Sequence, residues 1–167
     1  MIFLMEINAL IDEVLAGCLD PAWLQTIAEQ VLAALGTDPE TELGIVIVDQ
    51  EKIRQLNSQY LGTDEPTDVL AFSMLPDLVS GEETGAELPP FVAPPDGVTH
   101  LGEVIVSYPQ AVLQAGEHRH TVEKEVAILI IHGILHLLGY DHDESALEQQ
   151  MRIKETEILR SIEEKLR

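Results

Sequence analysis

The stretch that decides the reading is Val126-Ala127-Ile128-Leu129-Ile130-Ile131-His132-Gly133-Ile134-Leu135-His136-Leu137-Leu138-Gly139-Tyr140-Asp141-His142. The apolar run before His132 contains no Pro or Gly, and with the first two histidines it reads as one buried helix. Positions four apart share a helix face at roughly 5–6 Å, so His132 and His136 point the same way. Gly139 is the first residue suited to a left-handed helix end, which stops the helix and lets the chain double back. His142 then reaches the same point. Three imidazoles converging on one spot with a fourth position free is how a catalytic zinc is held.

The spacing H-x-x-x-H-x-x-G-x-x-H is that of the metzincin proteases, in which a Glu after the first His serves as general base. Here Gly133 takes that place, so the metal frame is kept and the protease base is not. Two other readings stand beside the catalytic one: histidines satisfied in the core, and a structural metal. Structural zinc sites are usually closed by four protein ligands, often cysteines, and no cysteine lies near this stretch.

Working outward, 167 residues make one domain's worth of chain, read as a single unit over 1–167, and 46% apolar residues suffice for a core. No apolar run reaches the roughly 18–20 residues of a membrane span. Met1 to Glu6 carries no basic residue and does not read as a signal peptide. Cys18 is the sole cysteine, which excludes an internal disulfide, suits a reducing cytoplasm and packs as a small hydrophobe. Nine Lys and Arg stand against 30 Asp and Glu, a net charge of −21 that disfavours non-specific binding to polyanions. Lys52 and Arg54 are the only basic residues before Arg119. The other seven lie from Arg119 onward, and any nucleic-acid contact must rest on these few basic residues, on the metal, or on a partner.

Residues 2–8 read as a short strand, a pattern that also fits a helix entry, and 9–17 as a helix ending near Gly17. Asp20-Pro21 starts the next helix, with Asp as N-cap and Pro at the first helical position, and Gly36 closes it. Leu43–Val48 reads as a buried strand, and Asp49 caps a helix to about Tyr60. Asp68–Ser73 and Leu101–Ser107 are further strands. Between them, about 75–99 is Pro- and acid-rich and reads as a loop insertion. Residues 109–117 form a short helix, Thr121 opens the histidine helix, and Asp143-Glu144-Ser145 opens a last helix to about Leu166. The fold class is α+β, a small mixed four-stranded sheet packed with helices, with the metal site on a central helix and the turn after it.

Three blocks carry a resemblance. They are Leu56-Asn57-Ser58-Gln59-Tyr60 with Asp64-Glu65-Pro66-Thr67-Asp68-Val69-Leu70-Ala71-Phe72, then Leu101-Gly102-Glu103-Val104-Ile105-Val106-Ser107, then His132 to His142. In this order they resemble the YbeY family of bacterial rRNA maturation factors over about 43–160, without the insertion. The resemblance implies a metal-dependent endoribonuclease cutting single-stranded RNA, in 16S rRNA 3′-end processing and ribosome quality control. It implies one divalent ion, zinc, on His132, His136 and His142, and work with the small ribosomal subunit and an Era-type GTPase. Where the family usually has Arg after the tyrosine of the first block, this chain has Leu61. Where it commonly has Asp after the glycine of the second, this chain has Glu103.

Asp141, one residue from a ligand, is the best-placed acid–base group, or else orients a ligand imidazole or caps the next helix, with Asp68 and Glu103 as further acid–base or substrate-binding candidates and Thr67 lining the cleft. His118 and His120 are expected in solvent-exposed roles. Two other functions fit the same residues: a zinc peptidase or deacylase with a replaced base, and a non-catalytic ribosome-assembly factor whose metal pins the last loop.

Overall fold

Thr41–Val48 (β2) alternates buried and half-buried side chains along its length, as a strand covered on one face must. It pairs in parallel with Glu6–Ile11 (β1) on one side and Thr99–Ser107 (β4) on the other. Val69–Ser73 (β3) closes the sheet antiparallel to β4, in the order β1-β2-β4-β3. The computed structural model describes residues 6–37, 40–62, 65, 67–73, 99–138 and 145–165. The expected insertion at about 75–99 lies outside them up to residue 98, and Thr99 already belongs to β4.

Five α-helices stand among the described residues: Pro21–Ala34 (α1), Gln50–Leu61 (α2), Tyr108–His118 (α3), Val122–Leu137 (α4) and Ser145–Lys165 (α5). Their starts follow local chemistry. The Asp20 carboxylate accepts from the Ala22 amide at 2.9 Å and that of Asp49 from Lys52 at 2.8 Å. The architecture is the expected α+β arrangement with a mixed four-stranded sheet.

The N-terminal segment corrects the expectation. Residues 9–11 continue β1 and only a 3-10 turn at Glu13–Leu15 follows, where the sequence pattern predicts a helix over 9–17. Ile7 and Ala9 sit against the core while Asn8 and Leu10 face out, a period of two. Cys18 packs at the rim of the main core as expected, and burial pushes its thiol pKa up.

The sheet has two differently covered faces. Leu43, Ile45, Ile47, Val104 and Val106 form the main core with α1 and α4. Leu70 and Ile105 form a smaller cluster on the other face with Ile53 of α2. In β4 a bulge at Leu101 shifts the register, so Glu42 pairs with His100 but Leu43 pairs with Gly102. Gly102 has φ +131°, and a Cβ there would fall on the Phe72 carbonyl oxygen.

Helix α4 is buried on most of its surface, with Val126, Ile130, Ile134 and Leu135 fully enclosed. It lies down on the sheet at Gly133, where an added Cβ would stand 2.6 Å from Val104 Cγ1. Gly133 therefore serves close helix–sheet packing. A Glu in its place would drive a carboxylate into the core. Helix α5 lies along α4, held by Ile158 and Ile162, each buried side chain contributing about 1.5–3 kcal/mol.

Two glycines give opposite outcomes on substitution. Gly133→Ala is expected to destabilise by about 1–3 kcal/mol through overpacking. Gly116→Ala, in α3 with nothing within 4 Å of the new Cβ, is expected to stabilise by about 0.5–1 kcal/mol. Urea denaturation midpoints of the two variants check the signs; equal midpoints would remove Gly133 as a close contact.

Candidate metal centre

Thr121 caps α4, its hydroxyl accepting from the Lys124 amide at 3.1 Å, and the helix then runs without a break to Leu137. That regularity places His132 and His136 one turn apart. Their rings meet edge-on with centroids 4.6 Å apart, and their Nε2 atoms are 3.0 Å from one another. Two nitrogens bound tetrahedrally to one zinc at about 2.0–2.1 Å are separated by about 3.3 Å. A small opening of the two rings reaches that value, so the pair fits one ion. His132 is fixed from behind: its Nδ1 is 2.8 Å from Glu155 Oε1 on α5.

The pair opens into a cleft of about 400 Å³ lined by Thr67, Asp68, Val69, Leu70, Ala71, His132, Gly133 and His136. Its volume lies in the range of small-ligand sites, roughly 300–1,000 Å³. Thr67 and Asp68 thus line the same cleft as the two histidines. The Asp68 carboxylate is already engaged. Its Oδ1 accepts from the Val69 amide at 2.8 Å and the Thr67 hydroxyl at 3.4 Å, and its Oδ2 from Gln114 Nε2 at 3.3 Å. The Ser107 amide also donates to the Asp68 carbonyl at 2.9 Å, which ties the start of β3 to the end of β4.

Glu103 is not brought to this cleft. It pairs with Phe72 across β3–β4, one position from the Ala71–Val104 pair that faces α4. Strand side chains alternate, so Glu103 projects from the opposite face of the sheet, where it lies across Gly44. Grouping it with the histidines is corrected on that ground. Asp141 and His142 lie outside the described residues, as does the helix stop expected at Gly139.

Three features escaped the sequence reading. Gln114 and Glu155 approach the cleft residues from α3 and α5, and no local spacing signals either. The third is a cluster at the α3–α4 junction: His118, His120 and Glu125 place ligand atoms within 4.8 Å of one another, a group able to hold a metal ion. Glu125 is buried, and its Oε1 takes contacts from His118 Nδ1 at 2.9 Å and His120 Nε2 at 2.6 Å. The expectation of solvent-exposed roles is therefore corrected for His120 and holds for the exposure of His118. His118 is exposed but engaged, and His120 is only 18% exposed. The signal available was the H-x-H spacing with Glu five residues on, which does not reveal that the Glu is buried.

The model of the family described as "Endoribonuclease YbeY" matches residues 19–163. A Dehalococcoides mccartyi protein named Endoribonuclease YbeY is 48% identical over 160 residues, covering 96% of this chain and 98% of that one. A Moorella thermoacetica protein of the same name is 41% identical over 139 residues, covering 83% and 84%. The solution structure of a Thermotoga maritima protein superposes with a TM-score of 0.56 at 28% identity, covering 92% of this chain and 86% of the other. With its four-stranded mixed sheet, its paired histidines on a buried helix and this extent of match, the chain belongs to the YbeY endoribonuclease family.

Proposed function

We propose that this chain is a metal-dependent endoribonuclease that cuts single-stranded RNA in the cytoplasm, in 16S rRNA 3′-end maturation and ribosome quality control. Its partners in this reading are the small ribosomal subunit and an Era-type GTPase. The observation that supports it best is the pair of Nε2 atoms 3.0 Å apart at the mouth of a cleft wide enough for a small ligand. His132 and His136 hold a divalent ion, zinc, and His142 completes the set from beyond the helix end. When bound, such an ion polarises a phosphoryl oxygen and lowers the pKa of a coordinated water to about 7.

The chain's own groups supply position and proton handling. The Thr67 hydroxyl stands in the cleft to meet a phosphate or ribose oxygen. Asp68, with both oxygens engaged, keeps the wall of the cleft in shape and leaves proton transfer to another group. Asp141 is the residue proposed for that transfer, adjacent to His142 in sequence. A peptidase using the Glu position of the related spacing is disfavoured, because Gly133 is packed against Val104 in the core.

A second reading places the ion on His118, His120 and Glu125, on the strength of their converging ligand atoms. That group shares one buried carboxylate oxygen between two imidazoles and does not line the cleft. The two sites separate by mutation. His136→Ala is expected to lower cleavage of a single-stranded RNA by at least about 100-fold with loss of bound zinc, since the affected ion would stabilise the transition state. His118→Ala is expected to keep cleavage. Loss of both zinc and cleavage in His118→Ala, with His136→Ala unaffected, would transfer the site to the junction.

RNA affinity offers another check. Leu61 stands where the family usually has Arg. Leu61→Arg is expected to tighten single-stranded RNA binding and to steepen the slope of log K against log salt by about 0.7, one added phosphate contact. Filter binding across a salt series measures it, and an unchanged slope would mean that the position does not meet the RNA backbone.

A further inference from the structure

We infer that Glu155 is a positioning residue for the metal centre: its carboxylate orients His132 and sets which ring nitrogen faces the ion. The inference rests on the reading above that His132 is a ligand. A carboxylate acceptor 2.8 Å from Nδ1 requires the proton on that nitrogen. The Nε2 lone pair is then left facing His136, 3.0 Å away. An imidazole in water divides its proton between two tautomers and turns about two torsions, and the wrong tautomer cannot bind through Nε2. Partners behind a ligating histidine remove both freedoms and raise its basicity.

The helix that carries Glu155 is built to hold it there. Glu155, Ile158 and Ile162 follow one another at helical spacing, and the two isoleucines are buried in the main core. The same face therefore carries the carboxylate and the anchors. The antiparallel register is set independently by Lys124 Nζ and Glu163 Oε1 at 3.0 Å. His132 lies eight residues further along α4 and Glu155 eight residues back along α5, so the two contacts are successive rungs between the same two helices. The Glu155 and His132 side chains are 25% and 30% exposed, partly withdrawn from solvent, where such a contact is screened less than a surface pair. Asp141, given the role of orienting a ligand in the sequence reading, is thus not needed to orient His132.

The test uses the full chain and two readouts. Zinc affinity is measured by competition with a chromophoric chelator for the parent, Glu155→Ala, Glu155→Gln, Glu155→Asp, His132→Ala and Glu163→Gln. The His132 tautomer is read in the metal-free protein from long-range nitrogen–proton NMR correlations at pH about 8, where imidazole is neutral. Glu155→Ala is expected to weaken zinc binding by about 10–100-fold and to turn His132 from one tautomer into a mixture. Glu155→Gln keeps an acceptor and is expected to retain the tautomer with an intermediate affinity, and Glu155→Asp to recover part of the loss. Glu163→Gln takes the charge out of the other rung and is expected to leave both readouts at the parent value, which separates orientation of His132 from mere docking of α5. Parent-like affinity and tautomer in Glu155→Ala, with His132→Ala weakened, would overturn the inference alone. Parent-like affinity in His132→Ala would overturn it together with the proposed ligand set. Equal losses in Glu163→Gln and Glu155→Ala would reduce Glu155 to a structural contact.

Discussion

The close approach of α4 to the sheet at Gly133 is the constraint from which the rest of the arrangement follows. Without a side chain at that position the helix axis can come down onto Val104, and a single methyl group would already be in conflict. The residues flanking that contact on the helix are therefore committed to the core, and Ile130, Ile134 and Leu135 are enclosed. His132 and His136 emerge beside β3, where Val69, Leu70 and Ala71 form the cleft wall. Depth and chemistry are coupled here. The position that holds the base in the protease spacing is used for packing, so this chain must find its proton acceptor elsewhere.

Much of this was legible in the sequence, and the reason is locality. Helix caps such as Asp20, Asp49 and Thr121 act within three residues, and four-residue histidine spacing is a property of one helix. The strands Leu43–Val48 and Asp68–Ser73 and the histidine helix were within reach because each carries a strong local pattern, whereas the sheet order depends on pairings distant in the chain. What was not legible depends on partners distant in the chain. Glu155 stands among many acids on a mixed helix, and only its neighbour 23 residues away gives it meaning. Glu103 was misplaced because strand alternation tells that neighbours face opposite ways without telling which way, and the bulge at Leu101 resets the phase just before it. Residues 9–11 were read as helix because aliphatic residues near a terminus fit both periods until a pairing strand selects one.

The junction between α3 and α4 shows the same limit from another side. Arg119 adopts a left-handed conformation at φ 58°, which turns the chain sharply enough for His118 and His120 to reach the same acid. Glu125 lies in the first turn of α4, where the helix dipole favours a negative charge. A buried carboxylate without partners would cost several kcal/mol, and two imidazole donors on one oxygen offset that cost. The cluster secures the start of the helix whose far end carries the cleft.

An acidic chain that cuts a polyanion needs a local reversal of sign. With a net charge of −21, the far field of the protein repels RNA. Among the described residues, two of the few basic side chains are already matched with acids: Arg54 with Glu51 at 2.8 Å and Lys124 with Glu163 at 3.0 Å. Neutral imidazole ligands contribute no charge of their own, so a divalent ion on the proposed ligand set would keep its two positive charges in the cleft. Within a Debye length of roughly 8 Å at physiological ionic strength, that local charge dominates over distant surface acids, which salt screens. With an ion bound there, the attraction that draws a phosphate into the cleft and the chemistry performed on it would come from one place, beside the histidines that the helix contact at Gly133 positions.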